Sequence, residues 1–128
     1  MKRIFLLVLP ALLLISCKGE TDYTRVVRNN TNQVIRVRAN GATFSSLDFM
    51  LDPGRLQNLY VESDKGGNSE AEDPGRDIVS MLITNAAGDT CQKDFHVAGN
   101  WTIEVEKVKK TPKSYRHTYT FEVNESDF

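Results

Sequence analysis

The sequence predicts an all-β domain, an antiparallel immunoglobulin-like β-sandwich of seven or eight strands. Three observations carry that expectation. From Tyr23 onward, short runs alternate apolar and polar residues, the pattern of strands with one buried face. Turn-forming clusters separate the runs, among them Asn29-Asn30-Thr31-Asn32, Asp52-Pro53-Gly54, Ala87-Gly88-Asp89 and Ala98-Gly99-Asn100. No stretch sustains the apolar period of an amphipathic helix.

Taken in order, Tyr23 to Arg28 is the first expected strand and the asparagine-rich turn after it reads as a hairpin. Ile35, Val37 and Ala39 then share one face, with Arg36 and Arg38 on the other. Leu47, Phe49 and Leu51 alternate with Asp48 and Met50. Pro53 and Gly54 suit the central positions of a turn, after which Leu59 and Val61 open another run. Glu62 to Asp77, with Gly66-Gly67 and Pro74-Gly75, is expected to be a long mobile loop.

Ile78 to Thr84 is the densest apolar run, expected to be a central strand buried on both sides, and Thr90 to Val97 is a further expected strand. Trp101, Ile103 and Val105 share one face of the next run, and Lys109 to Ser114 reads as a basic loop. In the final strand Tyr115, His117, Tyr119, Phe121 and Val123 share a face opposite Arg116, Thr118, Thr120 and Glu122. Each such strand needs its apolar face covered, and two stacked sheets do that. A small closed barrel is the second architecture. The Cys-Trp-Cys spacing of antibody domains is missing, so the likeness to them is one of architecture.

The N-terminus has another character. Lys2 and Arg3 precede a nearly unbroken apolar run from Ile4 to Ile15, interrupted by Pro10. That is the layout of an export signal, and it is shorter than the roughly 20 residues a membrane-spanning helix needs. The run ends in Leu14-Ile15-Ser16-Cys17, which resembles the lipobox of bacterial lipoproteins. The resemblance implies that the Cys17 sulfur carries a diacylglyceryl group, that cleavage makes Cys17 the new N-terminus, and that acyl chains such as palmitate hold it to a membrane. Lys18-Gly19-Glu20-Thr21-Asp22 resembles the export tags of surface-displayed lipoproteins of the Bacteroidetes.

A second likeness spans most of the exported chain. Asn29 to Thr31, Leu51-Asp52-Pro53-Gly54 and the closing Tyr119-Thr120-Phe121 with Glu125-Ser126-Asp127-Phe128 are similar to small uncharacterised β-sandwich lipoproteins of the Bacteroidetes. It brings no catalytic residues. The expected division is therefore a signal peptide over 1–16, a lipidated tether over 17–22 and a β-sandwich domain over 23–128, located at the outer membrane on its periplasmic face or at the cell surface.

Charge and cysteine content narrow the function. The chain has 128 residues, with 16 basic and 17 acidic side chains. Cleavage before Cys17 removes two basic residues and no acidic one, so the exported chain is acidic on balance, and nucleic acid is not an expected partner. With Cys17 taken by lipid, Cys91 has no intramolecular partner and reads as a small, largely buried strand residue.

No chemistry-bearing pattern is strong. Cys91, His96 and His117 are the candidates for a thiol–imidazole pair or a zinc site, but Cys91 and His96 are five apart, so one strand would point them to opposite faces. Glu70, Glu72, Asp73 and Asp77 form an acidic cluster without the ligand spacing of a calcium loop, and read as a solvated loop. No metal and no cofactor is expected. Three Asn-x-Ser/Thr sequences, at Asn29, Asn100 and Asn124, read as incidental in a bacterial lipoprotein. Trp101, Tyr115, Tyr119, Phe121 and Phe128 are read mainly as core, with an exposed remainder marking a partner site.

Lys107, Lys109, Lys110 and Lys113 form the candidate binding surface, for anionic lipid headgroups or polyanionic sugars, with Arg36 and Arg38 extending it if their face is adjacent. The expected function is a non-enzymatic, lipid-anchored binding or structural module of the cell envelope, whose partner is an envelope protein or glycan. The alternatives are a small envelope hydrolase using Cys91, His96 and His117, and a carrier with an apolar cavity between its sheets.

Overall fold

The computed structural model describes residues 18–128, so the expected signal peptide and Cys17 lie outside the described residues. Seven strands form two sheets: β1 (Glu20–Asn29), β2 (Ile35–Gly41), β3 (Leu47–Leu51), β4 (Leu56–Lys65), β5 (Ile78–Thr84), β6 (Trp101–Lys110) and β7 (Lys113–Val123). Single-turn 3-10 helices occupy Ala98–Asn100 and Glu125–Asp127. The expected all-β, two-sheet architecture is present. One sheet runs β4-β1-β7-β6 and the other β3-β2-β5.

The pairing is not wholly antiparallel. β1 and β7, the first and last strands, pair in parallel at the middle of the four-stranded sheet, from Thr21 opposite Tyr115 to Asn29 opposite Val123. Parallel neighbours need a connection that leaves the sheet and returns, and here that connection is the whole intervening chain. The Asn29-to-Asn32 turn is likewise not a hairpin. It carries the chain from one sheet to the other, as does the Asp52-to-Arg55 turn, where Gly54 takes a φ of +75°. True hairpins join β2 to β3 and β6 to β7.

Asn29 governs the first crossing. Its buried side-chain amide donates to the carbonyls of Gln33 (2.8 Å) and Leu51 (2.9 Å), while its oxygen accepts from the amide (2.9 Å) and hydroxyl (2.7 Å) of Thr31. Its backbone carbonyl accepts from the Gly54 amide at 2.8 Å, so one residue ties both crossings together.

Alternation dictates the core. Tyr23 and Val27 of β1, with Tyr119, Phe121 and Val123 of β7, face Ile35, Val37 and Ala39 of β2 and Ile78 and Ile83 of β5 in one buried cluster. Burying such side chains contributes roughly 1.5–3 kcal/mol each. A bulge between Arg25 and Val26 sets Tyr60 opposite Arg25 and Asn58 opposite Val26, so that consecutive Leu59 and Tyr60 are both buried.

Several expectations are corrected. β5 is an edge strand with Val79 and Leu82 exposed, because β2 holds the centre of its sheet. Thr90–Val97 forms no strand beyond an isolated bridge from Thr90 to Thr84. It is a coil in which the Phe95 carbonyl accepts the Trp101 indole N–H at 2.7 Å. With three strands facing four, Ile103 and Val105 of the edge strand β6 stay partly open. Glu20, Thr21 and Asp22, expected in a tether, are the first rungs of β1. The expected basic loop is a tight hairpin whose lysines lie in β6 and β7 around a cis Thr111–Pro112 peptide.

Candidate functional site

The most elaborate polar construction is one the sequence reading missed. Arg25 lies on the inner face of β1 in phase with Tyr23 and Val27, and its side chain is fully buried. Strand register explains its surroundings: β4 places Tyr60 directly beside it and β7 places Tyr119 on its other flank. The guanidinium carbon sits 4.9 Å from the Tyr60 ring centroid, 5.0 Å from that of Tyr119 and 5.9 Å from that of Tyr23. Three aromatic faces stabilise a cation removed from water.

The loop over 66–77 completes the enclosure and is not the solvated mobile segment expected. Arg25 Nη2 meets Glu72 Oε1 at 2.6 Å, and Arg25 Nε donates to the Pro74 carbonyl at 3.2 Å. The Glu72 amide donates to Tyr119 Oη at 3.0 Å, and Asn68 Nδ2 to Tyr23 Oη at 3.0 Å. Pro74 is itself among the most buried side chains. Exposed Arg76 approaches Glu72 at 3.4 Å, Asp77 at 3.6 Å and Glu62 at 3.8 Å. Of the four acidic residues expected to be solvated, Glu72 and Asp77 therefore belong to an ion-pair network, and Glu70 and Asp73 stay exposed.

Strain is concentrated beside Arg25. Its Nη1 lies 3.7 Å from Glu62 Oε1, and these two atoms, with Tyr60 Oη, are buried without a hydrogen-bond partner. Burial, then the facing Asp77 carboxylate, pushes the Glu62 carboxyl up to about 7. Asp77 moves the other way, held low first by its hydrogen bond with Glu62 and further by Arg76. Burial also pushes the Tyr60 hydroxyl up to about 12. The network suits a structural latch that fastens the 66–77 loop over the sheet.

His117 serves the same lid. Fully buried, it uses Nδ1 toward Tyr119 Oη (2.9 Å) and Nε2 toward the Asn68 carbonyl (2.6 Å). Both ring nitrogens are thus engaged. Exposed His96 lies tilted beside Phe95, their ring centroids 4.2 Å apart, and half-buried Cys91 sits against the core, where burial raises its thiol pKa. No hydrogen bond joins any two of Cys91, His96 and His117, and no metal-binding cluster of His, Cys, Asp or Glu occurs among the described residues. Trp101, Tyr119 and Phe121 are buried, whereas Tyr115 and Phe128 are partly so.

Lys107, Lys109, Lys110 and Lys113 are all exposed, together at the tip of the β6–β7 hairpin. Arg36 and Arg38 do not extend this surface. They lie on the other sheet, where Arg36 forms a two-pronged pair with Asp48 at 2.9 and 2.7 Å. A surface cleft of about 340 Å³ beside the hairpin is lined by Gly19, Glu20, Asp22, Val108, Lys109 and Tyr115, with Pro112 and Ser114. A second, of about 380 Å³, opens between Arg38, Asp48 and Leu82 on the three-stranded sheet.

The start of the described chain is clamped between this hairpin and the end of β4. The Glu20 amide donates to Ser114 Oγ at 3.1 Å, the Gly66 amide to the Gly19 carbonyl at 3.0 Å, and Thr21 Oγ1 to the Gly66 carbonyl at 2.7 Å. A Cβ at Gly19 or at Gly67 would collide with the Lys113 carbonyl, and Gly19 has a φ of +68°. Glycine is required at that close approach.

No model of a known protein family matches the chain, and no curated protein matches it either.

Proposed function

We propose that the chain is a lipid-anchored module of the cell envelope, held to the outer membrane through Cys17, which binds or scaffolds an envelope protein or glycan without chemistry of its own. The clamp on Gly19 and Glu20 is the observation that carries this reading. A body fastened so close to its lipidated residue is fixed end-on at a bilayer, with the Asn29 and Asp52 crossings turned away from it. The engaged nitrogens of His117 favour this over a hydrolase built on Cys91, His96 and His117. The continuous apolar cluster between the sheets favours it over a carrier. We further infer that the two sheets close as an immunoglobulin-like sandwich, in keeping with their four-plus-three arrangement and the two sheet-crossing turns.

Cys17→Ser tests the anchor. The variant leaves the chain without acyl chains, so mass spectrometry of the wild-type N-terminal peptide should show the diacylglyceryl mass and the variant should lack it. An unmodified Cys17 in the wild-type protein would sink the proposal.

A further inference from the structure

We infer that the β6–β7 hairpin tip is a docking surface for anionic phospholipid headgroups of the membrane to which the chain is anchored, an inference that rests on lipidation of Cys17. Lys107, Lys109, Lys110 and Lys113 are gathered at that tip, where the register sets Lys107 beside Tyr115, Lys109 beside Ser114 and Lys110 directly opposite Lys113, so that both faces of the tip are basic. A register shift between Lys107 and Lys109 leaves Val108 out of the ladder and exposed, an apolar residue amid the lysines. Acidic neighbours are occupied or set aside. Glu106 lies 3.8 Å from Arg116, and Glu20 and Asp22 line the cleft wall behind the tip. That acidic wall makes the cleft a poor anion receptacle, so the contact belongs to the tip.

Distance decides the occupant. Gly19 is pinned against Lys113, and Cys17 stands two positions before it, at most about 7 Å away along extended chain. That span is shorter than the Debye length of about 8–10 Å at physiological ionic strength. An acylated Cys17 therefore brings the lysines inside the electrostatic layer of the bilayer carrying it, where several basic side chains reinforce an acyl anchor.

The test uses the full lipidated protein in phosphatidylcholine vesicles with or without phosphatidylglycerol, reading the acetylation rate of each lysine by mass spectrometry. Lys107, Lys109, Lys110 and Lys113 should react about tenfold more slowly on the phosphatidylglycerol vesicles, an effect that added salt abolishes. Lys93, bonded to the Glu122 carbonyl at 2.7 Å, should react alike on both and serves as the reference. Equal rates on the two vesicle types, with protein still vesicle-bound, would overturn the docking surface and leave the lipid anchor standing. Failure to associate with either vesicle would overturn both. Equivalent slowing by inorganic phosphate without vesicles would make the tip a free-phosphate site and overturn the lipid assignment.

Discussion

Arg25 and Glu72, separated by 47 positions in the chain, meet at 2.6 Å inside the protein, and that pair fastens the 66–77 loop across the inner face of the four-stranded sheet. A buried cation with one strong partner is costly to leave half-made. Its contribution is therefore best seen by removing one side.

Arg25→Met should destabilise the domain by about 3–5 kcal/mol, because Glu62 and Glu72 would keep partial burial with only the exposed Arg76 left to face them. Urea denaturation measures this as a lower midpoint at an unchanged slope. A loss below about 1 kcal/mol would mean that the carboxylates relax into water and that the latch is not structural.

Stability should depend on pH through Glu62. Its folded pKa, about 7, stands above the ordinary 4.5, so the native state holds a proton there that the unfolded chain has released. The stabilisation is complete below the ordinary value and is lost as pH rises through about 7. Asp77, held low, contributes in the opposite sense and loses its contribution as pH falls toward its folded value. Thermal melts should peak on the mildly acidic side of neutrality, and Glu62→Gln should flatten the alkaline decline. An unchanged alkaline decline in that variant would rule out Glu62 as its source.

Tyr119→Phe deletes a hydroxyl that accepts the Glu72 amide and bonds His117 Nδ1. One buried and one partly buried polar group are stranded, at a cost of about 1–3 kcal/mol. Hydrogen exchange at Glu72 should accelerate strongly while the β2 amides keep their protection. Uniform acceleration in both would show that the loop opens only with the whole domain.

Asn29→Ala removes the side chain that satisfies Gln33, Leu51 and Thr31. A loss of about 3 kcal/mol is expected from so many orphaned partners. Asn29→Asp should restore less than half of it, since a carboxylate cannot donate to the two carbonyls. Full rescue by Asp would show that only the Thr31 contacts matter.

Much of the fold was legible because alternation at period two reports burial directly. Ile35, Val37 and Ala39, or Tyr119, Phe121 and Val123, could be assigned to inner faces from spacing alone. Pairing partners were not legible. Nothing local in Tyr23 to Arg28 says that its neighbour is the last strand, in parallel, and nothing in Ile78 to Thr84 distinguishes an edge from a centre. Arg25 is in phase with Tyr23 and Val27, which already places it inward. An arginine at an inward position was the available signal. Glu72 gave no comparable sign, because its role depends on where a glycine-bounded loop lands.

The parallel pairing of β1 with β7 also fixes when this protein can mature. Its rungs run from Thr21 beside Tyr115 to Asn29 beside Val123, so the first strand made must wait for the last before either finds its neighbour. Such long-range closure is slow. A chain unable to consolidate until its final residues arrive remains threadable, which is in keeping with the export proposed for it.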